Sequence, residues 1–546
     1  MWTLRICDNP ARNEARNSGE KNGYMLKSAG QDRPFVLLTG ATGLVGGLVL
    51  ARLLSCELPV AVLVRGNRRQ SAQERIESLM RRLEERFHRL FVRPVVLDGE
   101  LCSAGLGLSG TDHAWLNANC GSVIHSAANL LFKPASEHPD NEPYRTNVDG
   151  TRNLLELASS AGINEWHYVS TAYIAGLRTG RILEREANVG QEFGNDYERS
   201  KTMSEQMLRQ SQQITSLTVY RPSIVIDLHP TTSMRSDQTI NSAFVMFQAL
   251  SQRFGLPERG DWFRRLGFSG HERKNIVTVD WVAAMIAEIY RRPALHGDTY
   301  HLTSAAGTSA SELEDGFRAA VLEGGVKLPS QRVEATAQID EQAAPFVAAF
   351  KPYFKDDPVF DRTNTVYAMQ LCKEADLPQL TLERLRDFCM RQTKPGGPPT
   401  VLRLTPSAWD QFRLDCDRSM DQADLLPANV FGIEVCGPCG GQWVVEENRR
   451  GWTVRTAHAG NAPSRIIVSS AVFGELTSGT KTVAQAFAAG VLLTESDFYH
   501  DHYTLQDRTL QLGPSTGLIE SFSKLIAAVQ RHASQVSNKS EVAYVR

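Results

Sequence analysis

Tyr197 and Lys201 stand four residues apart in the run Asp196-Tyr-Glu-Arg-Ser-Lys201. On a helix that spacing puts both side chains on one face. A free phenol titrates near pH ~10 and gives up its proton poorly at neutrality. A neighbouring ammonium favours the phenolate and lowers that pKa, which suits the phenol to general-acid work. Upstream, Tyr168-Val-Ser-Thr-Ala-Tyr173 reads as a strand ending in two hydroxyls, where Thr171 is placed to hydrogen-bond a substrate oxygen and stabilise charge developing on it. A lone Y-x-x-x-K is usually an ordinary helix turn, so its meaning depends on the elements around it.

The decisive neighbour is Phe35 to Leu48, FVLLTGATGLVGGL. Five apolar, partly β-branched residues predict a buried strand, and Leu44 to Leu54 a helix. Between them Gly40, Gly43 and Gly46 allow a tight turn and close approach of the backbone to a diphosphate, which the helix N-terminus attracts. Thr39, Gly40, Thr42, Gly43, Leu44, Val45 and Gly46 are therefore expected to line a dinucleotide, with Lys201 also holding its ribose hydroxyls. NAD binders place an acid at the end of the second strand. Here Arg65 holds that place, followed by Arg68, Arg69 and Arg75. A guanidinium binds a 2′-phosphate bidentately, so the expected cofactor is NADPH. Arg65 and Arg75 are its contacts, and Arg68 and Arg69 a solvated face.

Strands and helices alternate around these motifs. Strands are expected at Val60–Val64, Val95–Leu97, Ser122–His125, Trp166–Ser170 and Leu217–Tyr220. Helices are expected at Gln70–Phe91, Asn147–Ser160 and Tyr197–Gln210. The rhythm predicts an α/β fold built on a doubly wound parallel sheet over residues 34–229. From 230 to 393 it loosens into a substrate-side lobe with strand-like Asn275–Asp280 and Thr299–Thr303. Lys394-Pro-Gly-Gly-Pro-Pro399 opens a linker (394–404). Beyond it, residues 405–535 predict a separate α+β domain, with strands at Gln442–Glu446, Gly451–Arg455, Arg465–Ser469 and Val491–Thr494. Helices are expected there at Ser470–Leu476, Lys481–Ala489 and Gly517–His532, followed by a tail, 536–546. The 546 residues are too many for one core. The net charge of −2 gives no reason to expect nucleic acid as a partner. No apolar run approaches the ~20 residues of a membrane span. Residues 1–33 lack the apolar core of a secretory signal and read as a disordered leader. Nine scattered cysteines fit a reducing cytoplasm. Cys436-Gly-Pro-Cys439 is followed by two glycines and a strand, so it reads as a turn with two ordinary thiols, and His500-Asp-His502 as solvated loop. No metal ligands are expected.

Taken together, the chain over about residues 35–395 resembles the extended short-chain dehydrogenases, and within them the fatty acyl-CoA reductase and thioester reductase ("male sterility") branch. The matching pieces are Thr39–Gly46, Leu63–Arg65 with Arg75, Val123–Ala128 (VIHSAA), Asn147–Thr151 (NVDGT), Tyr168–Tyr173, Tyr197–Lys201, Tyr220–Val225 (YRPSIV), Asn275–Ala283 and Pro358–Thr365 (PVFDRTNT). The resemblance implies Thr171, Tyr197 and Lys201 as catalytic residues with Asn147 as a fourth. It places Ser126, Ala127, Ala128, Pro222 and Ile224 along the cofactor and Glu100 and Leu101 near its adenine. Two departures stand out: Leu44 where the family often has an aromatic residue, and Gly99-Glu100 where it commonly has Gly-Asp. The implied reaction is reduction of an acyl-CoA or acyl-carrier-protein thioester to aldehyde or alcohol. Residues 405–535 resemble the sterol carrier protein type 2 fold through Gly441–Val445, Ile466–Ser469 and Ser478–Gly490. That likeness implies an apolar tunnel for a lipid ligand, with Trp443, Trp452, Phe473, Leu476 and Phe487 as candidates to line it, and a peripheral contact with membranes. The competing readings are an extended dehydrogenase acting on a sterol or sugar nucleotide, and a lipid carrier whose dehydrogenase fold is silent.

Overall fold

A computed structural model describes residues 33–229, 239–329, 355–393, 429–448, 451–456, 465–488, 492–494 and 516–543, apart from short internal stretches. The linker, the Cys436–Cys439 turn, His500-Asp-His502, Phe487's side chain and the leader up to residue 32 lie outside what is described.

The apolar runs become the strands they predict. β1 (Phe35–Thr39) and β2 (Val60–Val64) are buried at every position, as strands covered on both faces must be. With β3 (Val95–Asp98), β4 (Cys120–His125), β5 (Glu165–Val169), β6 (Ser216–Tyr220) and β7 (Thr299–Tyr300) they form one sheet in the order β7-β6-β5-β4-β1-β2-β3. Every pairing in it is parallel. One face packs a core of α1 (Leu44–Ser55), α2 (Ala72–Phe87) and a helix at Val279–Tyr290. The other packs Phe35, Leu37, Trp115, Leu154, Leu157, Trp166 and Leu208. The sheet is thus doubly wound, and its order reverses between β1 and β4, where a crevice opens beyond the carboxyl ends of the strands.

Three helices differ from expectation at their ends. α2 starts at Ala72 rather than Gln70 because Ser71 and Glu74 form a reciprocal cap, and it ends at Phe87 rather than Phe91. The helix expected from Asn147 opens as a π-turn, Arg145–Asp149, and becomes α-helical only at Gly150. The C-terminal helix runs on from Thr516 to Ala543.

A second core joins the helices Thr239–Phe254, Ala310–Glu323 and Leu382–Thr393. It is tied back to the sheet by buried charge: Arg86 at the end of α2 bonds Asp227 and Asp280, each at 2.8 Å. The late F-D-R-T-N run is held by Glu184, whose carboxylate accepts from the backbone of Asn364 and Thr365 and the hydroxyl of Thr365. Burial nonetheless pushes the Glu184 carboxyl up. The C-terminal domain is a five-stranded sheet whose central strand, Asn429–Cys436, was not expected. Phe431, Ile433, Trp443, Phe473 and Leu476 bury together against the final helix, with Trp452 packed on them.

Candidate active site

The helix carrying the Tyr–Lys pair, α5 (Asp196–Gln210), begins where the sequence can cap it. The Asn195 side chain accepts from the Glu198 N–H, and Asp196 and Glu198 place negative charge in the first turn. Asp196 does more: its carboxylate accepts from Ala135 N–H and the Tyr144 hydroxyl, at 2.8 and 2.7 Å, so the loop after β4 is fastened over the helix start. Phe132 in that loop meets the Tyr197 ring edge-on, 5.5 Å between centroids. Tyr197 is buried, and the Thr171 side chain beside it acts to lower the pKa of its phenol. Thr171 leaves the end of β5 as an extended residue whose hydroxyl accepts from Tyr173 N–H. The structure thus brings Thr171 and Tyr197 together where the motifs placed them.

The expected electrostatics are not what the structure holds. Burial pushes the Tyr197 phenol up rather than down, outweighing the opposing influence of Thr171. The reason is where Lys201 goes. Its Nζ donates to the Val169 carbonyl at 2.7 Å and lies 4.2 Å from the centroid of the Tyr168 ring, so Tyr168 is the aromatic ring beneath the ammonium. Lys201 is itself buried, and desolvation pulls it down to about 7 despite the opposing charge of Glu205. Glu205 is held low, to about 2, chiefly because Arg221 offsets its burial. The site therefore holds a protonated phenol at Tyr197, while the Lys201 amine, turned to Val169 and Tyr168, can gain or lose a proton near neutrality.

The glycine loop fits a dinucleotide on its own geometry. Gly40 has φ +75°, and a Cβ there would lie 2.6 Å from the Ala127 nitrogen. A Cβ on Gly46 would lie 2.2 Å from the Gly40 carbonyl oxygen. The loop is therefore pressed between the start of α1 and the Ser126–Ala127 backbone, with no room for side chains. Gly43 caps α1 without a side-chain hydrogen bond, and the first turn carries no acid. That leaves the positive end of the helix for an anion. Leu44 and Val45 pack partly on the core, while Gly43 and Ala128 are exposed at the mouth. Arg75 donates to the Arg65 carbonyl and, at 3.2 Å, to the Thr42 hydroxyl. Arg65 pairs with Glu100 at 2.6 Å on the surface. The two guanidinium groups thus flank the loop, but one already faces a carboxylate. Leu101 supports the start of the helix Gly150–Ser160, accepting from the Asn153 side chain. Pro222 offers its carbonyl to Ala172 N–H at 2.9 Å, and Ile224 opens a short strand beside it.

One participant escaped the sequence reading. His125, at the end of β4, bonds the Thr39 hydroxyl through Nδ1 at 2.7 Å and the Thr151 hydroxyl through Nε2 at 2.9 Å. Burial and the nearby Lys201 charge lower its pKa to about 3, so it is neutral. Thr151 donates to the Asn147 carbonyl, as does Ser204 of α5. The Asn147 side chain bonds Asn129 and Ser200. Asn147 is thus a positioning hub inside the π-turn, joining the glycine-loop side of the crevice to α5. A histidine closing an apolar strand carries no periodic signal that separates this bridge from plain core.

Residues 38–286 match the family model described as Male sterility protein. Among similar proteins are the fatty acyl-CoA reductase wat of Drosophila melanogaster (25% identical over 227 residues, 35% of this chain and 43% of that one) and the aldehyde reductase lnaA of Aspergillus flavus (27% over 370 residues, 61% and 34%). Fatty acyl-CoA reductase 1 of Pongo abelii is 33% identical over 147 residues, 25% of this chain and 28% of that one. The chain spans less than half the length of these curated relatives. The terminal R domain from the myxalamid PKS-NRPS biosynthetic pathway shares the fold, with a TM-score of 0.52 at 22% identity over 66% of this chain and 90% of that domain. The sheet and its crevice therefore have a Rossmann-type fold, and the match over residues 38–286 supports a nicotinamide cofactor there.

Proposed function

We propose that the chain is an NADPH-dependent reductase of fatty acyl thioesters, carried by CoA or a carrier protein, giving aldehyde or alcohol. The observation that carries this reading is the placement of Thr171 beside the buried Tyr197 at the end of β5, next to the glycine-lined crevice. Gly40 to Gly46 and the α1 N-terminus hold the diphosphate, and Arg65 and Arg75 the 2′-phosphate. The bound nicotinamide supplies hydride chemistry. The protein's part is acid catalysis: Thr171 stabilises negative charge on the former carbonyl oxygen and Tyr197 protonates it. Because burial keeps the phenol protonated until that charge develops, the proton is present when needed. Lys201, held on the Val169 carbonyl, titrates near neutrality and binds the ribose hydroxyls of the cofactor. The reduced thioester carbon then expels its thiol to give the aldehyde, and a second reduction gives the alcohol.

The C-terminal domain, in this reading, captures the acyl chain and supplies it to the crevice. Its support is the sterol carrier-like pattern and the apolar cluster of Trp443, Phe473 and Leu476 under the last helix.

The test follows NADPH oxidation and thiol release with long-chain acyl-CoA, acyl-carrier-protein thioesters and ketosteroids. Thiol released in step with oxidation is the expected result; oxidation with ketosteroid alone overturns the thioester assignment. Truncation within 394–404 should raise KM for long-chain substrate, and an unchanged KM removes the C-terminal domain from substrate delivery.

A further inference from the structure

At the opposite end of the sheet from the crevice, three side chains converge that the proposed chemistry does not use. Glu165 and His167 are two apart on β5 and so point to one side of the strand. His296 arrives from the loop before β7. Glu165 Oε1 lies 3.3 Å from His167 Nε2 and 3.3 Å from His296 Nδ1. The two rings meet edge to face, with centroids 4.6 Å apart. The His167 side chain is fully buried and that of His296 is 9% exposed, whereas Glu165 reaches solvent at 36%.

The hydrogen bonds around the cluster limit where its protons can sit. His296 Nε2 lies 2.9 Å from the Tyr290 carbonyl oxygen. A carbonyl only accepts, so Nε2 carries the hydrogen. In a neutral imidazole that leaves Nδ1 as a lone pair, and here it faces a carboxylate oxygen. Two acceptors 3.3 Å apart need a cation between them, either a proton or a metal ion. The outer Nδ1 of His167 lies 2.9 Å from the buried Tyr220 hydroxyl, which can accept its hydrogen and leave Nε2 as the lone pair facing Glu165. Outer-nitrogen partners of this kind fix the rings of metal-bound histidines. Two of the three spacings match tetrahedral zinc, whose bonds of about 2.0–2.1 Å give ligand–ligand edges of roughly 3.3–3.4 Å, and all three ligand atoms lie within 4.8 Å of one another. A single hydrogen bond would bring one ring closer than 3.3 Å, yet both rings stand at the same distance from the same oxygen.

We propose that Glu165, His167 and His296 bind one divalent transition-metal ion of the zinc class, with water in the fourth position. The ion would clamp the start of β5 to the loop before β7. The same strand carries the Val169 carbonyl that holds Lys201 at its other end.

The experiment uses the full chain with Cys436 and Cys439 changed to Ser, stripped with a chelator and titrated with Zn(II) and then Co(II). The comparison protein adds Glu165→Gln and His296→Gln, which keep hydrogen-bonding side chains. The first protein should take up one equivalent of metal more than the second, show a visible Co(II) band, and unfold at a higher temperature with Zn(II). Losing two ligands should weaken binding by at least on the order of 100-fold. The single His296→Gln variant, read by the same Zn(II)-dependent thermal shift, serves if the double variant does not fold. Equal uptake by both proteins, or no uptake by the first, overturns the site and leaves a proton shared between His296 and Glu165.

Discussion

Gly46→Ala tests the cradle most directly. The new Cβ would lie 2.2 Å from the Gly40 oxygen and 2.7 Å from its carbonyl carbon. Restoring ordinary contact requires α1 to move back by roughly 1 Å. It cannot do so freely, because Leu48, Val49, Leu50 and Leu53 are fully buried against the sheet and its covering helix. Overpacking of this kind costs about 1–3 kcal/mol. Part of that falls on stability and part on the loop, where displaced N–H groups lose charge-assisted hydrogen bonds worth about 1.5–3 kcal/mol each. NADPH affinity should therefore fall on the order of 10- to 100-fold, since about 1.4 kcal/mol is tenfold. The internal control is Gly66→Ala, whose nearest neighbour is the Gln70 oxygen at 3.4 Å, an ordinary contact. It should bind NADPH within about twofold of the parent. Calorimetric titration with NADPH, beside thermal unfolding of each variant, reads both quantities. A folded Gly46→Ala protein that binds NADPH normally, or a Gly66→Ala protein equally impaired, would refute the reasoning.

Three further outcomes are expected. Tyr197→Phe should lower kcat by on the order of 10²- to 10⁴-fold while NADPH affinity stays within a few-fold, measured by turnover and titration; normal turnover removes Tyr197 from proton transfer. Lys201 titrates near 7 when folded and near ~10.5 when unfolded. The folded chain thus binds fewer protons between those values, and stability gains about 1.4 kcal/mol per pH unit across that window. Hydrogen exchange of α5 in urea should show this rise above neutrality in the parent and its loss in Lys201→Met; identical pH dependence would contradict it. Because the Arg65–Glu100 pair is exposed, it is worth about 1 kcal/mol at most. Glu100→Gln should accordingly raise the NADPH-to-NADH ratio of kcat/KM only a few-fold, and Arg65→Ala should lower it; opposite signs would take Arg65 out of 2′-phosphate binding.

What could be read from the sequence was what local pattern dictates. FVLLT-G-A-T-G announced a strand, a turn without side chains and a helix, and the fold has all three. The helix expected over Tyr197–Gln210 is there, starting one residue earlier behind the Asn195 cap. What escaped depends on the third dimension. The i, i+4 spacing put Tyr197 and Lys201 on one face but carried no measure of depth. Burial reversed the expected phenol shift and sent the ammonium to Val169 and Tyr168. Asn147 looked like the first residue of a regular helix because a π-turn has no periodic signature; it exists here because its side chain is anchored on Asn129 and Ser200. Asn429–Cys436 alternates Phe431, Ile433 and Val435, but Gly432 breaks the run and Gly437-Pro-Cys-Gly-Gly441 right after it reads as a turn. Glu165 and His167 shared a strand face, and only the return of the chain at β7 supplied His296.

The hydroxyl-to-imidazole relay from Thr39 through His125 and Thr151 to Asn147 has a practical corollary. Its links are short and enclosed, so the two halves of the crevice move as one piece, and slack introduced at either end travels to the other. Anyone retuning this protein for a different coenzyme should work at the rim, around Arg65 and Glu100, and leave Thr39 untouched: a change there would be felt at Ser200 and misread as a chemical defect.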